Sequence, residues 1–133
     1  MSITFFINPF TPANWQHQTS DLRIDPADYE QALRSQWPGA EISVPPPASS
    51  YLLAWRLRTN EALGLSGGLQ RDQQTVSFEV SDAATIYAFI RWHRRYVSRQ
   101  HDLFLHTTVA DDYLALTATT TDEAIEAFIS RRA

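Results

Sequence analysis

Residues 75–97 read TVSFEVSDAATIYAFIRWHRRYV. The first six alternate. Val76, Phe78 and Val80 fall on one side of an extended chain, and Ser77 and Glu79 point outward, the period of a half-buried strand. Past Ser81 the period lengthens. Ile86, Phe89, Ile90, His93 and Val97 recur every three or four residues, which predicts one apolar stripe on a helix over residues 82–97. Ser81 offers the side-chain oxygen that caps the free N–H groups of a first turn. Asp82 lies near the positive end of the helix, and Arg94, Arg95 and Arg99 lie near its negative end, as the helix dipole favours. A strand that feeds a helix with a single apolar face calls for a sheet under that helix.

Upstream, YLLAWRLR (51–58) places Tyr51, Leu53, Trp55 and Leu57 on one face of a second strand. EALGLSGGLQ follows, and its Gly67-Gly68 pair predicts a hairpin turn or bulge. ITFFI (3–7) is apolar on both faces and predicts a central strand. Asp25 caps a helix over 26–37, with Pro26 at the first helical position and Tyr29, Ala32, Leu33 and Trp37 as its stripe. Pro38-Gly39 stops it. EISV (41–44) is a short strand candidate, and PPPASS (45–50) lacks the N–H donors of a sheet centre. Downstream, DLFLHT (102–107) and DYLALT (112–117) predict two more strands around a turn at VADD. Thr120 with Glu123 reads as a capping box for a last helix over 121–131, carrying Ala124, Ile125, Phe128 and Ile129. The order is β-α-β-β-β-β-α-β-β-α. It predicts an α+β fold, a mainly antiparallel sheet of five to seven strands with three helices packed on it, in a single domain over 1–133.

The composition, 44% hydrophobic and 20% charged residues, suits a folded core rather than a disordered chain. No apolar run approaches the roughly 18 residues of a membrane span, and the first residues lack the pattern of a secretory signal, so the expected location is cytoplasmic. Cysteine is absent, which excludes disulfides, thiolate metal sites and cysteine nucleophiles. Lysine is absent too, which excludes Schiff-base chemistry and a Walker-type phosphate lysine.

Candidate functional residues gather in RWHRRYVSRQH (91–101), a basic stretch in a chain of net charge -4. Arg91, Arg94 and Arg95 project over a limited arc of the helix, with Arg99 beyond its end. Guanidinium groups fork onto carboxylates and phosphates, and Trp92 and Tyr96 offer ring surfaces nearby. Nucleic acid is disfavoured as a partner, because the charge is local and no nucleic-acid-binding motif accompanies it. Trp92 reads as a packing residue and His93 as a core histidine. Trp15, within NPFTPANWQHQTS, is the tryptophan expected to be exposed. No HExxH or close histidine pair predicts a metal site, no G-x-S-x-G or S-x-x-K predicts a serine nucleophile, and LSGGL (65–69) matches no phosphate loop. No catalytic, cofactor or metal set is assigned.

FIRWHRRYVSRQHDLFLH (89–106), followed by DDYLALTATTTDEAIEAFI (111–129), resembles a family of small bacterial α+β proteins without an established activity. These proteins join an aromatic-basic helix, a short strand, an acidic turn and strand, and a capped final helix. The matching positions are Phe89, Trp92, Arg94, Leu103, Leu105, Leu114 and Thr120. Some such proteins accompany toxin or secretion loci, so the resemblance implies an interaction protein rather than an enzyme.

The expected function is therefore non-catalytic binding of a partner, another protein or a second copy of this chain. Trp15, Arg91, Arg94, Arg95, Tyr96 and Arg99 are the candidate contact residues. One alternative is an enzyme or small-ligand binder whose His17, His101, His106, Asp102 and Arg94 are brought together by folding. The other is a weak nucleic-acid module using residues 91–99.

Overall fold

The computed structural model describes residues 4–11, 20–59, 62–79, 83–107 and 112–131. Its elements are β1 (Thr4–Asn8), α1 (Pro26–Gln36), β2 (Glu41–Ser43), β3 (Tyr51–Thr59), β4 (Ala62–Gln70), β5 (Val76–Glu79), α2 (Ala83–Tyr96), β6 (Leu103–His106), β7 (Tyr113–Leu116) and α3 (Asp122–Ser130). The strands form one seven-stranded sheet in the order β2-β3-β4-β5-β1-β6-β7. Every neighbouring pair is antiparallel. β1 runs between β5 and β6, the central place expected of ITFFI; Phe5 and Ile7 are fully buried, and Phe6, which points to the other face, is half-buried. No helix among the described residues is long and apolar enough to cross a membrane.

One row of side chains shows how the helices sit. Trp55 opposes Gly67, Gly67 opposes Phe78, and Phe78 opposes Phe5, so these residues share a face. Tyr29 of α1 meets the Trp55 ring at 5.4 Å, Phe89 of α2 meets Phe78 at 5.4 Å, and Phe128 of α3 meets Phe5 at 6.3 Å. All three helices thus cover one face of the sheet. Ile86, Phe89 and Ile90 are fully buried against it, and Trp92 and His93 join the same core.

Four local expectations are corrected. Gly67 and Gly68 lie inside β4, paired with Trp55 and Ala54, and neither has a positive φ. They serve close approach instead of a turn. A Cβ on Gly67 would sit 2.5 Å from the Ser77 carbonyl oxygen, and one on Gly68 would sit 2.6 Å from the Tyr51 ring. Tyr51 leaves the Leu53–Trp55–Leu57 face, because a register shift between Tyr51 and Leu53 pairs it with Gln70. Its hydroxyl lies 2.7 Å from Ser77 Oγ, so Ser77 is buried rather than outward and solvated. The cap of α3 is Thr121, which accepts from the Ala124 N–H. Thr120 is spent on the preceding turn, accepting from the Thr117 N–H and donating to the Ala115 carbonyl. Finally, α1 stops before Pro38-Gly39 as expected, but only the proline acts: Trp37 precedes it and is pushed out of helical geometry, while Gly39 is not left-handed and makes no glycine cap. Val80, Ser81, Asp82 and most of the VADD turn lie outside the described residues.

Candidate functional site: a cationic cleft at the end of α2

The last turns of α2 run past α3 and past the turn that joins β7 to α3. The four arginines there have different environments. Arg91 Nε pairs with Asp122 Oδ1 at the start of α3, and both side chains are about half exposed. Arg94 reaches the carbonyls that end its own helix. Its Nη2 donates to Val97 O at 3.3 Å and to Ser98 O at 3.0 Å, and its Nη1 lies 3.5 Å from Leu116 O of β7. A free helix C-terminus presents unsatisfied acceptors and partial negative charge, and Arg94 covers both. Arg95 and Arg99 are exposed and make no hydrogen bond or ion pair among the described residues.

Two adjoining chambers open between these elements. The one on the α3 side, about 190 Å³, is bounded by Ile90, Leu116 and Ile125. The one on the side of the α2–β6 loop, about 450 Å³, adds His101 and Asp102. Arg94, Arg95, Arg99, Leu116, Thr117 and Ala118 belong to both. The second chamber lies within the roughly 300–1,000 Å³ of small-ligand sites, and the first is nearer the size of a side chain. Burial lowers the Arg94 pKa, the charge of Arg99 lowers it further, and Asp102 partly offsets both. Of the charged side chains lining the second chamber, three are arginines and one is a carboxylate. The cleft is therefore a positive patch on an acidic chain.

The structure separates the residues singled out by sequence. Arg94, Arg95 and Arg99 converge on the cleft, and Arg91 lines only its α3 side. Tyr96 faces elsewhere. Its hydroxyl donates to Asp28 Oδ2 of α1, and its ring stacks on Trp92 at 5.6 Å and meets Tyr29 edge-on at 5.0 Å. Burial raises the Tyr96 pKa, and the hydrogen bond and charge of Asp28 add to the rise. Trp92 is 9% exposed, so its ring belongs to the core. Trp15 and His17 lie outside the described residues.

Of the proposed His/Asp/Arg set, His101, Asp102 and Arg94 share the larger chamber. His106 does not join them. It is fully buried, with Nε2 2.9 Å from Asn8 Oδ1 and Nδ1 3.2 Å from Thr107 O. No group of three or more His, Asp or Glu residues suited to a metal ion occurs among the described residues. Leu116, Thr117 and Ala118 are parts of the cleft that sequence reading passed over. Their only signal was the threonine-rich ALTATTT run, which marks a turn without saying what it faces.

No family model matches the chain, and no curated protein or solved structure is significantly similar to it.

Proposed function

We propose that this chain is a non-catalytic binding protein, in an expected cytoplasmic setting, and that the cleft at the end of α2 engages an acidic segment of another protein. One observation carries the reading. Arg94 is committed to carbonyls, while Arg95 and Arg99 beside it have no partner among the described residues on the wall of a cleft. Two exposed guanidinium groups beside a third that is held in place suit carboxylates, which they bind through paired N–H donors. Nucleic acid is the weaker candidate. Trp92 and Tyr96, the rings that would stack on bases, pack against each other and Tyr29.

The test is a titration of the full chain with poly-L-glutamate and with duplex DNA, single-stranded DNA and RNA, at low and physiological salt. Poly-L-glutamate should bind, and Arg95→Glu with Arg99→Glu should abolish binding. Micromolar nucleic-acid binding at physiological salt, lost in the same variant, would replace the protein partner with a nucleic acid. Binding of neither polyanion would leave the arginines as a solvated helix end.

A second reading, a site for a small anionic ligand, is favoured by the meeting of His101, Asp102 and Arg94 in one chamber. It predicts saturable binding of small carboxylates that His101→Ala weakens while poly-L-glutamate binding persists.

A further inference from the structure

We infer that the acidic segment received by the cleft is the start of β7 in a second copy of this chain, in a two-fold dimer joined edge to edge along β7. The inference rests on the binding reading above and narrows its partner to one.

The two edges of the sheet are not alike. β2 is three residues long, starts on the exposed Glu41, and is followed by Val44 and three prolines. A short, charged strand that runs into prolines is closed to further pairing, because the prolines have no N–H to offer. β7, YLAL, carries neither charge nor proline, and its Tyr113 is 45% exposed. The outward groups of β7 can be identified. Thr120 Oγ1 donates to Ala115 O and accepts from the Thr117 N–H, so these two residues point away from β6. Alternation gives Tyr113 the same direction. The Ala115 N–H and both backbone groups of Tyr113 are thus turned toward a further strand.

The charges at the two ends of β7 are opposite. At its C-terminal end, Leu116 lines both chambers of the cleft together with Arg94, Arg95 and Arg99. Asp112 precedes its N-terminal end. Asp111, next to it in sequence, lies outside the described residues. Leu114 and Leu116 pack into the core on the helix side of the sheet. The alternation, carried one residue back, gives Asp112 that same side, where α2 lies. A two-fold axis perpendicular to the sheet runs the second β7 antiparallel and keeps the helix sides of both copies together. Residues of the same face must then meet, which centres the pairing on Leu114 or on Ala115. The second choice needs the Thr117 N–H, which Thr120 already holds. The first sets Tyr113 opposite Ala115 twice, and the Ala115 carbonyl keeps a lone pair beside its bond from Thr120. It also sets Asp112 of each copy opposite Leu116 of the other, on the wall of the arginine cleft. Acid meets base at both ends of one self-complementary edge.

The experiment has two parts. In the first, the wild-type chain is followed by sedimentation equilibrium from about 10 μM to about 1 mM, a range suited to a small interface, and by amide hydrogen exchange at both ends of that range. It should dimerise, and the Tyr113 and Ala115 amides should gain about tenfold protection or more at the higher concentration. In the second, Asp112→Arg and the double variant Arg95→Glu with Arg99→Glu are run alone and as an equimolar mixture. Each alone brings like charges together at both ends of the interface and should weaken the dimer about a hundredfold or more. The mixture sets opposite charges together at both ends and should restore a heterodimer. A wild-type chain that stays monomeric overturns the inference. So does a dimer without protection at Tyr113 and Ala115, or a mixture of folded variants that stays monomeric. Circular dichroism shows whether each variant folds, and where one does not, the wild-type exchange pattern decides. If the chain is monomeric and poly-L-glutamate still binds it, the acidic-partner reading stands without the second copy. Failure of poly-L-glutamate as well removes both.

Discussion

The hydroxyl of Tyr29 lies 2.8 Å from Nδ1 of His93, and both residues are fully buried. Nε2 of the same ring has no hydrogen-bond partner among the described residues. If Tyr29 donates to Nδ1, the ring hydrogen sits on Nε2 and one buried group is unpaired. If Nδ1 donates instead, both the Tyr29 hydroxyl hydrogen and the Nε2 lone pair are unpaired. The first arrangement leaves fewer groups unsatisfied, so the Nε2–H tautomer is the one expected of His93. Tyr29→Phe removes that donor and should cost about 1–3 kcal/mol in denaturant melts. In the native protein, 15N shifts of the His93 ring should show Nδ1 as the unprotonated nitrogen.

The same burial makes folding sensitive to acid. Burial, with the charge of Arg94 adding to it, lowers the His93 pKa from 6.5 to about 3. In the unfolded chain this imidazole takes a proton near pH 6.5, whereas in the fold it stays neutral down to about 3. Between those values the unfolded state binds more protons, so stability falls as pH falls; above the unfolded pKa the effect vanishes. At pH 5 the loss is about 2 kcal/mol relative to neutral pH. His106 is shifted the same way by burial, partly offset by its bond to the Thr107 backbone, and adds to the trend. Melts at pH 7 and pH 5 should show a drop that shrinks by about 2 kcal/mol in His93→Leu. An unchanged drop would mean that His93 is protonated inside the fold.

The glycines make a paired prediction. Gly67→Ala places a methyl 2.5 Å from the Ser77 carbonyl oxygen and 3.0 Å from Trp55 Nε1, where backbone must move. Gly39→Ala meets nothing within 4 Å. The first change should cost about 1–3 kcal/mol by overpacking, and the second should stay within about 0.5 kcal/mol of the parent. Thermal melts of both variants check this. Equal effects would mean that β4 gives way to a methyl at Gly67 without cost, and that close approach does not require glycine there.

Most of the fold was legible because its signals are local. The alternation in TVSFEV and the stripe Ile86–Phe89–Ile90–His93 each report which side of one element is buried, and Asp25 and Pro26 mark a helix start within a few residues. The order of elements followed from these. Misreadings came where a distant residue decides the outcome. Gly67 and Gly68 look like a turn until Trp55 and Tyr51 lie over them. Ser77 looks solvent-facing until the Tyr51 hydroxyl reaches it. At the candidate site, the sequence showed four clustered arginines but not their division of labour. Arg91 is taken by Asp122, thirty-one residues away, and Arg94 reaches Leu116, twenty-two residues away. Nothing in RWHRRYVSRQH encodes those partners.

That division of labour can be measured without any ligand. The Arg94 guanidinium holds two carbonyls at the end of α2 and approaches a third on β7. Removing it leaves these acceptors to water in a partly closed cleft and takes a positive charge from the negative helix end. Arg94→Ala should therefore lower stability by about 1–2 kcal/mol. Arg95 and Arg99 make no such contacts, so Arg95→Ala and Arg99→Ala should each change stability by less than about 0.5 kcal/mol. The charge of Arg99 also repels Arg94, so removing Arg99 relieves that repulsion, most clearly at low salt. Urea melts at two ionic strengths compare the three variants. A loss at Arg95 or Arg99 as large as that at Arg94 would show that these side chains hold the fold together, and they would then not be free to hold a partner.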